Sequence, residues 1–207
     1  RIAVVTTNIL QPSAIKNLMQ KAISLAKVQP PNEDFVSLPG PKPIPEMNTF
    51  CRNIRRLTPG RKVKIIQEIK TLVQENGLSA SGAFSHGEVE LAVVNSLGIE
   101  AYQKFSDLFL HLIAQKGKAS GYASFVSRDL DQLQVEPLVN AAVAKASGAQ
   151  PMQIEPGEYE VILEPEAVRE LMVLLGYLGF HALAVQEGRS FFCDEFGKKL
   201  VNEKVTI

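Results

Sequence analysis

The side chains best suited to metal or proton chemistry in this chain include three histidines. His86 stands in FSHGEVE beside Glu88 and Glu90, which leaves a surface ion site open, although a solvated hairpin tip is the favoured interpretation. His111 has apolar neighbours in DLFLHLIAQ, and such a histidine is more often a hydrogen-bonded core or strand residue than a ligand. Neither pattern predicts a metal site.

His181 and the cysteines are the other residues whose types suit metal binding. Glu187 follows His181 by six positions, and residues at that spacing lie on different faces of a helix. Cys51 and Cys193 are far apart and lack CxxC spacing, which favours two reduced thiols. The sequence predicts no catalytic residue and no metal ligand, and leaves substrate-binding residues unknown.

Serine hydroxyls near His86 raise the question of a hydrolase triad. Ser79, Ser81 and Ser85 precede the histidine, but no acid and base stand at a spacing that establishes a triad, which is defined by three-dimensional geometry. A GxSxG pattern is absent. The sequence therefore supports nucleophilic catalysis only weakly.

Charge patterning disfavours several classes of partner. Lysine plus arginine number 22 and aspartate plus glutamate number 22, so no net field attracts nucleic acid or an anionic membrane. Residues 52–64, RNIRRLTPGRKVK, hold six basic side chains, for which a solvated face is favoured over an anion-steering role. No apolar run approaches the ~20 residues that span a bilayer, and the first residues do not resemble a secretory signal. We expect a cytoplasmic protein.

The first residues alternate strand, helix and loop patterns. The β-branched run Ile2–Thr6 predicts a strand, and apolar side chains at helical spacing predict a helix over Pro12–Ala26. Six prolines occur between Val28 and Pro45, and each lacks the backbone N–H that donates hydrogen bonds in helices and sheets. This segment is therefore predicted to be a loop.

Capping signals define the next helix. Thr58 is a good N-cap, Pro59 suits the first turn and Gly77 suits a left-handed stop, which predicts an amphipathic helix from Pro59 to Asn76. β-Compatible runs broken by HGE, NSLG and KGK then fill residues 79–127. They predict an antiparallel meander of about four strands, one of them DLFLHLI.

Helical and strand patterns alternate again after the meander. Asp129 or Asp131 is predicted to cap a helix that ends at Gly148, in which small alanines allow close packing on the sheet. Residues 158–163 alternate as a strand.

The pattern of the last segment predicts two helices. Pro165 opens a strongly apolar helix that continues to about Phe180, and Ser190 is expected to cap a short helix that ends near Leu200.

This element order predicts an α+β fold. We expect an N-terminal β-α unit and a long helix, a central antiparallel β-meander packed with helices, and the start of a further β-α-α-β domain. The domains are placed at residues 1–127, 128–157 and 158–207. Because the chain begins without methionine in a predicted strand and ends in another strand pattern, NEKVTI, we expect a fragment of a longer protein.

Three stretches carry a resemblance to a known family: VVNSLGIEAY with the later GYAS, PGEYEVILEPEAVRELM, and EGRSFFCDEFGKKLVNEKVTI. Together they resemble the TldD/PmbA family, whose members are described as metallopeptidase-related and as modulators of DNA gyrase. The second stretch is the most specific, since it joins a strand to a helix through Pro165 with the spacing of the family. In the first stretch, Asn95, Ser96 and Gly98 suit a tight strand connection and indicate turn geometry, not catalysis.

Catalytic members of the family are similar to zinc peptidases in which this helix carries an HExxxH motif. The histidines bind zinc, and the glutamate acts as general base on the metal-bound water. The matching positions here are Val173 and Leu174, with Leu178 or its neighbour for the second histidine, and Leu171–Phe180 holds no histidine, acid or cysteine. The resemblance implies that the zinc site is absent and that zinc is expected only in motif-bearing relatives. We expect Val173 and Leu174 to be buried, because apolar side chains can fill the former site.

Motif-lacking members resemble the PmbA (TldE) type, which pairs with a motif-bearing TldD-like subunit in a peptidase that acts on peptides and unfolded segments. The resemblance implies a non-catalytic subunit or homologue in a homo- or hetero-oligomer. Two alternatives stay open. One is an active metallopeptidase with ligands outside this segment or with an unrelated metal geometry; the other is a structural or peptide-binding module in which the helix from Glu166 to Phe180 is only an oligomerisation or core element.

Overall fold

Helices precede and follow a three-stranded sheet along the described chain, as in an α+β fold. The structure is a computed structural model and describes residues 1–33, 35–148, 150 and 152–205. The α-helices among these residues are α1 Pro12–Val28, α2 Pro59–Glu75, α3 Val135–Gly148, α4 Pro165–Leu178 and α5 Ala182–Gln186. Short 3₁₀ turns cover Arg52–Arg56 and Leu130–Gln132. The α+β fold class is confirmed.

The central meander consists of three long strands, β1 Ser79–Val94, β2 Glu100–Lys116 and β3 Ala119–Ser127, in the sheet order β1-β2-β3. β2 and β3 pair antiparallel, with Leu112 opposite Ala123. The predicted fourth strand is wrong, because β1 continues through HGE and His86 lies within a strand, not at a hairpin tip. Gly87 marks a close approach instead of a turn, since a Cβ there would lie 3.0 Å from Asp107 Oδ1.

The main core lies between the sheet and helices α2 and α3. Alternate residues of β2 point into it, as the two-residue period of a strand requires. The buried residues of this cluster are Ile69, Val73, Leu78, Leu110, Leu112, Ala114, Ala123, Leu138, Val139, Ala142 and Ala146. Two of the alanines of α3 meet β3 at Gly121, where a Cβ would stand 2.0 Å from the Ala142 carbonyl oxygen. The predicted close packing of small residues on the sheet is confirmed.

A smaller buried cluster joins the two 3₁₀ turns to β2 and contains Ile54, Leu57, Leu108 and Leu130. Buried Ser106 organises the backbone beside it. Its hydroxyl donates to the Arg128 carbonyl at 3.0 Å and accepts the Cys51 N–H at 2.9 Å, while its own N–H donates to Thr49 O at 3.1 Å. One side chain therefore ties three chain segments together.

The predicted start and stop signals of α2 are confirmed. Thr58 Oγ1 accepts the Arg61 N–H at 3.3 Å, and Gly77 has φ +70°. Helix α1 forms where predicted. The described residues of the predicted loop between Val28 and Pro45 form no helix or strand, and Asp34 lies outside the described residues.

The predicted cap of α3 is wrong. Asp129 Oδ1 accepts the Asp131 N–H at 2.9 Å and thereby heads the 3₁₀ turn Leu130–Gln132, whereas α3 begins later, at Val135. An aspartate bonds the nearest free N–H groups that follow it, and here a separate turn intervenes before the helix.

Two predicted strands are also wrong. Residues 2–6 and 158–163 carry no strand, because a strand needs a neighbour for its backbone groups and no described segment pairs with either. The helix expected after Ser190 is replaced by turns, and α5 forms earlier instead. In NEKVTI, residues 202–205 form no strand, and the last two residues lie outside the described part.

The chain divides into two compact units, and strands β1 and β2 each contribute residues to both. The first comprises Arg1–Asn48 and Glu90–Lys104, and the second comprises Thr49–Val89 and Phe105–Ile207. The boundaries near residues 127 and 157 inferred from sequence stay a prediction. In the described ranges, none of the helices combines the length and apolar character needed to cross a membrane.

Candidate functional site

Helix α4 contains Val173, Leu174 and Leu178, which the family resemblance aligns with the zinc motif, and it begins where the sequence predicts. Glu164 holds the N-cap position with extended backbone, and Pro165 occupies the first turn, where its missing N–H costs nothing. The Lys145 ammonium of α3 reaches Glu164 Oε2 at 2.5 Å and also donates to the Tyr122 carbonyl at 2.9 Å. The start of α4 is thus fixed against α3 and β3.

Arg169 provides a second attachment of α4 to the sheet. Its guanidinium lies over the Phe109 ring, 5.7 Å from the centroid, and pairs with Glu170 Oε1 at 2.6 Å. Its Nε is buried and has no hydrogen-bond partner among the described residues. The contact is of the cation–π type, in which a guanidinium is attracted to the face of an aromatic ring.

The motif positions themselves are exposed, so the predicted burial is wrong. Val173 is 61% exposed and Leu174 is 56% exposed, and no described residue of α4 is buried. The attachments through Glu164 and Arg169 lie near the start of the helix, and no described layer covers its second half. Burial of these side chains would require another element packed on this part of α4, and the residue types alone do not specify such an element.

The chemistry of these positions does not fit zinc. Valine and leucine have no lone pair for a metal and no proton to exchange, whereas zinc in proteins takes nitrogen, sulfur or carboxylate oxygen ligands. Elsewhere, the described residues contain no group of three or more histidine, cysteine, aspartate or glutamate side chains placed to hold a metal.

A packed turn follows α4, which the sequence patterns missed. Phe191 sits directly on Gly179, where a Cβ would lie 2.0 Å from its Cε1. Buried Ser190 donates its hydroxyl to the Gly179 carbonyl at 2.6 Å and accepts the Phe192 N–H at 3.0 Å. Rings of Phe180, Phe191 and Phe192 pack with centroid distances of 4.4–5.9 Å. In the sequence, the signal that could have predicted this packed turn is Ser190 followed by two adjacent phenylalanines.

His181 and Glu187 do not form a site together. His181 precedes α5 as its N-cap without a side-chain cap bond, and Glu187 Oε2 accepts Arg189 Nε at 2.8 Å. The carboxylate is engaged by a guanidinium. The two predicted thiols are free, with Cys193 Sγ 3.6 Å from the Val185 carbonyl.

His86 is half-buried in β1, and its Nδ1 is buried without a hydrogen-bond partner among the described residues. Burial lowers the pKa of His86, and the nearby Lys62 ammonium lowers it further, against the opposite effects of Asp107 and Glu88. Glu88 accepts from Arg55 Nε at 2.7 Å and Nη2 at 2.9 Å, so this acid is already paired. The arrangement favours a neutral histidine.

His111 lies in β2 beside two aromatic rings. Its ring centroid is 5.3 Å from that of Phe109 and 6.3 Å from that of Tyr122, the latter stacked. The interpretation as a strand residue is confirmed.

The serines near His86 are not brought together with it. Ser79 Oγ donates to the Gln115 carbonyl at 3.2 Å. Ser85 and His86 are successive strand residues, and successive side chains point to opposite faces of a sheet.

The basic segment at residues 52–64 is partly used for internal ion pairs. Besides the Arg55–Glu88 pair, Arg56 Nη2 contacts both carboxylate oxygens of Asp131, at 2.6 and 2.5 Å. These pairs fix the first 3₁₀ turn to β1 and to the second 3₁₀ turn, which supports a structural role for the segment.

The turn in VVNSLGIEAY is built by one side chain. Asn95 Oδ1 accepts the N–H groups of Leu97 and Ile99, both at 3.0 Å, and Gly98 has φ +91°. An asparagine that bonds its own following backbone is a turn-forming device. The interpretation of this stretch as turn geometry is confirmed.

Comparison with known proteins adds to this geometry. Residues 156–207 match the model of the PmbA/TldA metallopeptidase C-terminal domain. TldE from Thermococcus kodakarensis is similar at 26% identity and TM-score 0.56, over 67% of this chain and 33% of that one. No curated protein sequence matches significantly.

Two further solved structures share the fold. A candidate modulator of a DNA gyrase from Thermotoga maritima has 19% identity and TM-score 0.77, over 95% of this chain and 46% of that one. A candidate modulator of DNA gyrase from Bacteroides thetaiotaomicron has 17% identity and TM-score 0.75, over 96% and 48%. The chain spans half or less of the length of these structures. Residues 156–207 thus resemble the C-terminal domain of PmbA/TldA metallopeptidases, and the chain shares its fold with TldE and with the two gyrase-modulator candidates, which supports the resemblance to the TldD/PmbA family.

Proposed function

We propose that this protein is a PmbA (TldE)-like, non-catalytic member of a zinc metallopeptidase system that processes peptides or unfolded segments. The observation that carries the proposal is the composition of α4, which has valine and leucine at the positions that the family resemblance assigns to the motif, Val173, Leu174 and Leu178 or its neighbour. A subunit with this helix needs a motif-bearing TldD-like partner to supply the metal and the general base.

The exposed side of α4 supports an interaction role. Leu171, Leu174 and Leu178 are all exposed, and they lie three to four residues apart, the spacing that places side chains on neighbouring positions of one helix surface. Exposed apolar surface on a structured element is typical of contact with another protein. In the proposal, this surface meets the motif-bearing subunit or lines the chamber that the two subunits form.

The proposal extends to assembly and location. We propose a cytoplasmic hetero-oligomer or homo-oligomer without a zinc ion of its own in this segment. Because the chain has no net charge, we expect it to recognise its partner through complementary apolar surfaces and not through long-range electrostatic attraction.

Binding to a motif-bearing relative tests the interaction directly. Leu174→Arg and Leu178→Arg each place a charge on the α4 surface and are expected to weaken the complex at least tenfold, because a buried unpaired charge is costly at an interface. Met19→Arg is the matched control, since Met19 is equally exposed on α1 in the other compact unit. Undiminished binding by both α4 variants, with fold retained by circular dichroism, would contradict this use of α4.

The alternative of an active metallopeptidase with ligands outside α4 predicts a different result. It requires chelator-sensitive peptide cleavage by this protein in the absence of any relative. The purely structural alternative predicts that replacing the exposed leucines changes neither partner binding nor peptide binding.

A further inference from the structure

A groove opens between α2 and the start of β1 and encloses about 400 Å³. It exists because the core-facing residues of β1 are small at this end. Phe84 packs against the main core, so the residues two and four positions before it, Gly82 and Ala80, share its face of the strand. Neither has a side chain long enough to fill the space below α2.

Gly82 cannot be replaced by a larger residue without disturbing the sheet. A Cβ at this position would lie 2.1 Å from the His111 carbonyl oxygen of the neighbouring strand. The backbones of β1 and β2 therefore meet directly at Gly82, and this residue adds no side chain to the groove. This close approach belongs to the neighbouring positions of β1 and β2 in the sheet.

The lining of the groove is mainly apolar. Ile66 and Ile69 of α2 form one wall, and Leu110 and Leu112 of β2 form the floor. Ile66 stays 47% exposed although its helix packs on the core. A concave apolar cavity of this size with few polar groups is the usual form of a small-molecule site.

The charged group at the groove determines the class of ligand. No acidic side chain lines it, and Lys70 is the lining residue with a fixed positive charge. Within the described ranges Lys70 forms no ion pair. Gln74 follows at the i+4 position of α2 and also lines the groove, so its side chain shares a helix surface with that of Lys70 and offers amide N–H donors. These donors suit a carboxylate.

We propose that the groove binds a free small monocarboxylate with an unbranched apolar tail. The tail lies against Ile66 and the leucines of β2, and the carboxylate is held by Lys70 and Gln74. This site is separate from α4 and does not depend on the proposed subunit role.

Decanoate, used below its micelle-forming concentration, is the probe for the full chain. We expect saturable binding at one molecule per chain, with amide shifts confined to the start of β1 and to α2 around Lys70 in two-dimensional NMR. Decyltrimethylammonium has a similar tail with the opposite charge, and acetate has the head without the tail. Both are expected to bind at least tenfold more weakly.

Three variants separate the contributions of tail and head. Ala80→Leu fills the groove and is expected to weaken decanoate binding at least tenfold. Lys70→Gln removes the charge and is expected to raise Kd about threefold to fivefold, the range of a partly exposed ion pair. Lys64→Gln, on α2 outside the groove, is the matched control and should leave Kd unchanged.

Each contrary result overturns the proposal. Equal binding of the cationic and anionic probes would show detergent-like adsorption. Equal effects of Lys70→Gln and Lys64→Gln would remove the carboxylate contact, and unchanged binding in a folded Ala80→Leu protein would place the tail elsewhere. Absence of decanoate binding at millimolar concentration would also contradict it.

Discussion

The backbone of Gly121 in β3 lies directly against Ala142 in α3. A Cβ on Gly121 would stand 2.0 Å from the Ala142 carbonyl oxygen and 2.6 Å from the Ala146 N–H nitrogen. Helix and strand therefore meet through backbone atoms, and even a methyl group at Gly121 would overlap α3. This contact fixes the distance between α3 and the sheet on which the main core depends.

Replacing Gly121 by alanine is expected to destabilise the protein strongly. The added methyl group meets backbone and not a movable side chain, so α3 must shift, at a cost of about 1–3 kcal/mol or more. The free energy of unfolding from urea titration measures the effect. Gly60→Ala is the matched control, because nothing lies within 4 Å of a Cβ there. Equal stability of the two variants would refute the backbone contact.

Replacing Ser106 by alanine removes the hydroxyl that joins three segments. The Cys51 N–H and the Arg128 carbonyl then lose a partner in a partly buried setting, which costs roughly 1–3 kcal/mol. Ser85→Ala, at an exposed strand position, should change stability by less than about 0.5 kcal/mol. Similar unfolding midpoints for both variants would show that the hydroxyl does not join the segments.

His86 should make stability depend on pH. Burial and Lys62 lower the pKa of this imidazole below its usual value of 6.5, so the unfolded chain binds the proton more readily than the folded one. The stabilising contribution is complete above about pH 6.5 and is lost as pH falls from there through the lowered pKa of the folded protein.

The measurement is the unfolding midpoint of the protein and of His86→Gln between pH 7.5 and 5. The variant is expected to lose less stability on acidification than the parent protein. NMR titration of the His86 ring provides the direct check of the pKa. Identical pH profiles for the two proteins would contradict the assignment.

Sequence signals succeeded where the cause is local. Thr58, Pro59 and Gly77 define α2 because a cap bond, a fixed φ and a left-handed residue each act within a few positions. The apolar pattern of DLFLHLI likewise placed β2 correctly, since half of its residues face the core.

The wrong predictions have a common cause, since each depends on contacts between segments that are distant in the sequence. The strand patterns at residues 2–6 and 158–163 find no described neighbour, and HGE lies inside β1, where Asp107 of β2 approaches Gly87 closely. Val173 and Leu174 are exposed although their types suit a core, because burial depends on what covers α4. The groove beside Lys70 was not foreseen, since it requires the register of β1 against β2.

The central claim is that this protein supplies no zinc site and acts with a motif-bearing relative. The most direct test is zinc content by elemental analysis, together with cleavage of an unstructured peptide, for this protein alone, the relative alone and the two combined. We predict no stoichiometric zinc and no cleavage for this protein alone, and more cleavage by the combination than by the relative alone. Stoichiometric zinc with chelator-sensitive cleavage by this protein alone would contradict the claim.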